Sequence, residues 1–294
     1  MPEPRSDIAN IDHVGVAVRD MDRAAAVCAA LGFQLTPLSA HKGAWKPGDP
    51  LTPLGSANRC AMFADNYLEL LVHVDPLRPD PRQARFLAHH QGAHIVCFGT
   101  DDPQAVDRRL VAAGVGTSGV IPLQRDVDTP DGVRTARFER VQFDPRGTPE
   151  GYIQAARHLT PEYLHQPRYM RHPNQVTGLS EALIVADDAE LCAARYARYT
   201  GRPCVRDGAR HTFVLQPACR LSIVATGDAA AVLPGSLLPP SPAIAGVVFQ
   251  TADLGAMRRR LEAAGIAFAE AAGRLAVPAE EACGTVMIFE SATP

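Results

Sequence analysis

Lysine is almost missing from this 294-residue chain: Lys42 and Lys46 are the only two, and arginine carries the rest of the fixed positive charge. The net charge of −3 leaves no basic excess. That argues against a nucleic-acid partner, because a phosphate-binding domain neutralises its ligand with surplus cations. No apolar run is long enough to span a bilayer, so no membrane partner is expected. The opening residues have no apolar core of the kind a secretory leader needs. Cys28, Cys60, Cys97, Cys192, Cys204, Cys219 and Cys283 include no CxxC pair. Their odd number and apolar settings exclude a disulfide framework or zinc ribbon in favour of small buried hydrophobes. A cytoplasmic protein is expected. With 46% hydrophobic and 21% charged residues, there is ample material for one large domain or two ordinary ones.

Against that background one stretch stands out. Residues 11–18 read Ile-Asp-His-Val-Gly-Val-Ala-Val, a strand by alternation and β-branching. Val14, Val16 and Val18 share one face; His13, Gly15 and Ala17 share the other, which leaves room in front of the imidazole. Alone, such a histidine would read as a structural residue at a strand start. The stretch recurs, however, at residues 93–100 with His94 near its start. Seven residues after each histidine comes an aspartate, Asp20 and Asp101. Each opens an alanine-rich amphipathic segment that ends at a glycine, Gly32 or Gly114. Aspartate supplies an N-cap acceptor, Pro103 suits a first helical position, and glycine tolerates the C-cap. Two units with shared punctuation indicate an internal repeat.

Between Gly32 and Arg59 the breakers predict a loop, carrying the only tryptophan, Trp45, and ending near Asn58. Such an excursion is a lid or cavity wall, or a plain surface loop. Strands follow at 59–63 and 67–72. Glu69 sits among apolar residues, where a carboxylate is expensive unless paired or metal-bound; alternation alone does not say which face it takes. Gln154 stands two residues after Tyr152, as Glu69 stands two after Tyr67. His13 to Glu69 is 56 residues and His94 to Gln154 is 60, so the two units match from end to end.

A strand with a ligand-type histidine, a helix, then strands ending in a carboxylate or amide resembles the βαβββ module of the vicinal oxygen chelate superfamily. That superfamily includes glyoxalase I, extradiol dioxygenases and bleomycin-resistance proteins. The resemblance implies an α+β fold of four βαβββ modules paired into two curved, cup-like mixed sheets. Carried over, the four metal-ligand positions fall on His13, Glu69, His94 and Gln154. Gln154 departs from the glyoxalase pattern, which has a carboxylate there. The implied cofactor is a divalent metal, Fe, Mn, Ni, Co or Zn, open to vicinal oxygens of a small-molecule substrate. Gln154 cannot act as a base, which leaves Glu69 as the catalytic candidate. The function implied is a glyoxalase-like metalloenzyme, a lyase, isomerase or dioxygenase. The alternative is a metal-free sequestering protein of the bleomycin-resistance type.

Residues 8–157 are expected to hold the metal-bearing pair, with modules at about 8–75 and 90–157. Residues 158–178 form a linker or tail in which Thr160 and Pro161 predict a short helix. His158 and His172 there are candidate substrate-binding residues beside Trp45 and Asn58, or parts of a solvated linker. Residues 179–294 repeat the module with its chemistry gone. Counting back seven from Asp187 and Asp253 gives Ser180 and Gly246, and the positions matching Glu69 and Gln154 read Ser222 and Ile288. That half is expected to act as a scaffold, a cavity wall or the face of a homodimer.

Overall fold

The computed structural model describes residues 7–78, 80–215 and 219–292. The first half runs β1 (Ile11–Ala17), α1 (Met21–Ala30), β2 (Ser39–Gly43), β3 (Thr52–Met62), β4 (Tyr67–His73), α2 (Pro81–His89) and β5 (Gly92–Gly99). It continues with α3 (Pro103–Ala112), β6 (Thr117–Thr129), β7 (Gly132–Phe143) and β8 (Tyr152–His158). The second half runs β9 (Val176–Ala186), α4 (Ala189–Thr200), β10 (Val205–Asp207), β11 (Arg210–Leu215), β12 (Cys219–Ala225) and α5 (Ala229–Val232). It ends with β13 (Ala243–Thr251), α6 (Leu254–Ala264), β14 (Ala269–Ala271), β15 (Arg274–Val277) and β16 (Val286–Ser291). Each module is a strand, a helix and three strands, repeated four times, so the expected α+β architecture holds.

The two sheets close differently. In the first, β1 pairs with β5 and β2 pairs with β6, giving a closed barrel in the order β1-β4-β3-β2-β6-β7-β8-β5. In the second, β9 pairs with β13, but β10 and β14 remain edges of an open eight-stranded sheet. The cause is length: β6 has 13 residues and can reach β2, whereas β10 and β14 have three each. The segment 32–59, expected as loop, contains β2 and most of β3. The short helix after Thr160 is a 3₁₀ turn, Pro161–Tyr163.

All four module helices begin at an aspartate whose side chain accepts a backbone N–H: Asp20, Asp102, Asp188 and Asp253. Strand alternation then sorts each sheet into two faces. On β1, Val14 and Val16 enter one core shared with Ala182, Ile184 and Phe249 of the second half. His13 and Gly15 turn inward to the barrel cavity, and burial of the apolar face against the other half fixes that choice.

Candidate functional site

The barrel interior is a small cup that leaves about 50 Å³ for the centre of a water-sized sphere. Its wall takes every second residue of the surrounding strands: His13 from β1, Asn58 from β3, Glu69 from β4, Arg125 from β6, Arg140 from β7 and Gln154 from β8. One residue breaks the alternation. Across the β1–β5 ladder Ile11 faces Phe98 and His13 faces Cys97, leaving Asp12 as the extra residue of a bulge. The bulge turns the Asp12 carboxylate inward beside its neighbour. Sequence reading passed over Asp12, because a bulge is not visible in an alternating pattern.

Glu69 is only 6% exposed. It accepts a hydrogen bond from Asn58 Nδ2 at 2.5 Å, and Asn58 Oδ1 in turn accepts from Arg125 Nη1 at 2.9 Å. His13 Nε2 and His41 Nε2 each lie 3.8 Å from a Glu69 oxygen. Burial alone would raise the Glu69 pKa, but His13, His41, Asn58 and Arg125 together hold it below the ordinary carboxylate value. Burial and the surrounding Arg125, Arg82 and Arg140 push His41 down to about 4, against the pull of Glu69, so it is neutral.

Asp12 Oδ2 lies 2.6 Å from His13 Nδ1, and its other oxygen lies 2.8 Å from His158 Nε2. Burial opposes ionisation of Asp12, yet the His158 charge and the His13 contact carry its pKa well down. Burial likewise opposes protonation of His13, and Cys97 and Asp12 outweigh it, so the imidazole is held well above its usual pKa. Tyr67 stacks on the same ring at 4.6 Å. The side chain of His13 is thereby fixed, with Nδ1 spent on Asp12 and Nε2 presented towards Glu69.

Three arginines line this cup. Arg82 is tied to Asp80, with Nε donating to Oδ1 at 3.1 Å and Nη2 to Oδ2 at 2.8 Å. Arg125 is held by Asn58 and not by a carboxylate. Arg140 has no hydrogen-bond partner at Nε and only a 3.5 Å contact from Nη2 to the Ala44 carbonyl.

The structure does not assemble the expected ligand set. His13, Glu69 and Gln154 face the cup, whereas His94 lies outside it. The His94 ring stacks on Phe86 at 4.8 Å and touches His90 at 4.1 Å, and its Nε2 meets the His90 carbonyl at 2.9 Å. The reason is a shift of one residue. In the parallel ladders, Tyr67 faces His13 and Tyr152 faces Ile95, so Ile95 is the counterpart of His13. The spacing of seven holds from the aspartate that caps the helix, and for α3 that is Asp102 and not Asp101. One step along a strand reverses the face.

Of the expected substrate contacts, Asn58 lines the cup. Trp45 sits at the rim, its ring 4.9 Å from the Arg82 guanidinium. His158 stands behind Asp12. His172 is remote: it accepts from Gln34 N at 3.0 Å, its Nε2 lies 2.8 Å from the Met62 carbonyl, and its ring packs against Phe33 and Phe63. It belongs to the core between the halves and not to a substrate site. Among the described residues, one group of three ligand-type side chains has its donor atoms within 4.8 Å of one another: Asp12, His13 and Cys97. This triad could hold an ion, and it shares only His13 with the sequence-derived set.

The same shift applies to the second half. Asp188 caps α4, so the seventh residue back is Glu181, not Ser180. Glu181 faces Val248 just as His13 faces Cys97. It is fully buried but receives Arg210 Nη1 and Arg220 Nε, each at 2.9 Å.

A family model described as "Glyoxalase-like domain" matches residues 11–200. No curated protein matches the sequence. Among solved structures, a hypothetical protein from Staphylococcus aureus is similar with TM-score 0.67 and 13% identity, over 97% of this chain and 100% of that one. A mutant 4-hydroxymandelate synthase from Streptomyces coelicolor is similar with TM-score 0.58 and 14% identity, over 98% and 95%. The Mn(II)-bound glyoxalase from Novosphingobium aromaticivorans is similar with TM-score 0.57 and 13% identity, over 97% and 83%. At such identities the likeness shows the fold. The family match covers well over half of the chain, and the chain belongs to the glyoxalase-like family.

Proposed function

From that membership we propose that the barrel of residues 8–157 is the active site of an enzyme acting on a small oxygenated molecule, with 179–294 as its scaffold. The supporting observation is Glu69: a buried, ionised carboxylate set between two histidines at the wall of a cavity, with one oxygen held by Asn58. Such a group serves as ligand or base, and burial strengthens either role.

The donors suit one divalent ion. Gln154 Oε1 is buried without a hydrogen-bond partner, and His13 Nε2 and Glu69 Oε2 are 3.8 Å apart. His13, Glu69 and Gln154 would hold the ion, which would supply Lewis acidity to neighbouring oxygens of the substrate. Asp12 orients His13, and Asn58 and Arg125 orient Glu69. His13 must lose its Nε2 proton to act as a ligand, so metal affinity rises with pH. Glu69 is the carboxylate placed to accept a proton from substrate.

Titration of Mn²⁺ into EDTA-treated protein tests this. The parent is expected to bind one equivalent, and Glu69→Gln to lose at least about tenfold in affinity because the only anionic ligand is gone. Equal affinity in both proteins refutes the metal reading. Gln154→Glu is expected to bind Mn²⁺ more tightly than the parent. A second reading, a metal-free binding protein, is favoured by Ile95, which puts an alkyl group where the register calls for a fourth ligand.

A further inference from the structure

We propose that Arg140 anchors an anion subsite in the cup and that its ligand is a small monocarboxylate with an apolar body. The inference rests on the cup being a ligand site, but not on its holding a metal.

Arg140 is 2% exposed and lines the cavity. Its Nε has no partner, and the one contact from Nη2 is long, 3.5 Å to a backbone carbonyl. No carboxylate on that wall is left over for it, and the other cation without one, Arg125, is held by Asn58. Asp80 is spent on Arg82, and Glu69 is engaged with Asn58 between His13 and His41. A buried cation without a counter-charge is expensive, and a chain keeps one where a ligand delivers the missing charge. Burial and the nearby Arg82 charge hold the Arg140 pKa below its usual value, as expected of a cation short of an anion.

The remaining lining narrows the ligand. The buried Tyr152 hydroxyl lines the same wall, interacting with Arg82 and Arg140, so a hydroxyl stands beside the guanidinium fork. A planar carboxylate can take both, since the fork offers parallel N–H donors. Leu54, Leu71, Ile95, Leu123 and Phe138 form the apolar part of the wall. Glu69 and Asp12 in the same cavity disfavour a second negative charge, which selects a monoanion over phosphate. The volume of about 50 Å³ keeps the body small.

Calorimetric titration of EDTA-treated protein with benzoate and butyrate, beside benzamide, butyramide and inorganic phosphate, tests the proposal. At least one carboxylate is expected to bind about tenfold or more tighter than its amide, and phosphate to bind more weakly than either acid. Arg140→Gln is expected to lose that preference and keep the affinity for the amide. Arg140→Lys keeps the charge but not the fork, so it also loses most of the preference even if the glutamine variant fails to fold. The proposal is overturned if acid and amide bind alike, if no acid binds, if phosphate is preferred, or if the folded Arg140 variants match the parent. Carboxylate binding that appears only on adding Mn²⁺ overturns this subsite and leaves the metal reading intact. Carboxylate binding without any Mn²⁺ binding does the reverse.

Discussion

In the open sheet of the second half, Arg210, Arg220 and Arg274 surround two carboxylates. Glu181 receives Arg210 and Arg220, and Glu290 receives Arg274 Nη2 at 2.5 Å and Arg220 Nη2 at 3.4 Å. In the barrel of the first half, Arg125 and Arg140 sit on the equivalent inner face with no such partner. The strand order within each half is the same, so the fold does not account for the contrast. What differs is closure. The open sheet bears a broad groove of about 570 Å³, and its charges neutralise one another. The barrel narrows to a small cup and leaves cationic groups facing inward. The arginines of the open sheet are paired with carboxylates, whereas Arg125 and Arg140 of the barrel are not, which is the contrast the proposed ligand site accounts for.

The sharpest way to break this comparison is to remove a charge from each half. Glu181→Gln leaves three arginines around a neutral amide and is expected to cost about 3–5 kcal/mol, the usual penalty for breaking a buried pair. Arg140→Met, which removes a cation with no partner, is expected to raise ligand-free stability by on the order of 1 kcal/mol. Urea denaturation of both variants measures the two signs. A loss of stability in Arg140→Met would mean that its charge is balanced within the chain.

Acid acts on the barrel through His41, which is held neutral with a pKa of about 4. A base with a depressed folded pKa is destabilising where the unfolded form protonates and the native form does not. Stability should therefore fall as pH drops from about 6.5 to about 4, by at most roughly 3 kcal/mol for this histidine. His90 and His94, also held near 4, add to the same window. His41→Gln should flatten part of the fall in melts taken between pH 7 and pH 4. An unchanged slope would show that His41 protonates freely in the folded barrel.

Glycine offers a third comparison, one position on an opening strand of each half, with effects of about 1–3 kcal/mol. A Cβ on Gly15 would lie 2.8 Å from Ile95 Cβ and 3.1 Å from Glu69 Oε2. Ile95 Cβ is fixed to the backbone, so Gly15→Ala must shift β5 or displace Glu69, and both stability and ligand binding should suffer. At Gly246 the nearest atom is Leu233 Cδ2 at 2.7 Å, the movable end of a side chain. Gly246→Ala should cost less and leave the cup untouched. Comparable losses of binding in both variants would contradict the division of labour between the halves.

Much of the architecture was legible because module punctuation survives where chemistry does not. Each helix follows an aspartate, and seven residues before the true cap lie His13, Ile95, Glu181 and Gly246. The doublets Asp101-Asp102 and Asp187-Asp188 hid two of the four caps, since either aspartate can accept a helix N–H in sequence. Barrel closure could not be read, because the pairing of β2 with β6 joins segments far apart in the chain. Glu69 and Gln154 were recognisable from the tyrosines two residues before them. Arg125 and Arg140 were missed because they lie on long strands with polar and charged residues on both faces, where alternation gives no sign of an interior.

The smallest expected effect is also the most direct test of register, and it uses two adjacent residues. His94 stacks on Phe86 outside the cup, so His94→Ala removes a ring contact and is expected to cost about 1 kcal/mol. Mn²⁺ affinity should not change. Ile95→His, one position along, places an imidazole on the inner face opposite Gly15 and near Glu69. If His13, Glu69 and Gln154 hold an ion, this fourth donor should tighten Mn²⁺ binding measurably, at little cost in volume. The register requires the two results to differ: no change at residue 94 and a gain at residue 95. Should His94→Ala weaken Mn²⁺ binding while Ile95→His does nothing, β5 must be paired one residue out of step, and the sequence-derived ligand set would return.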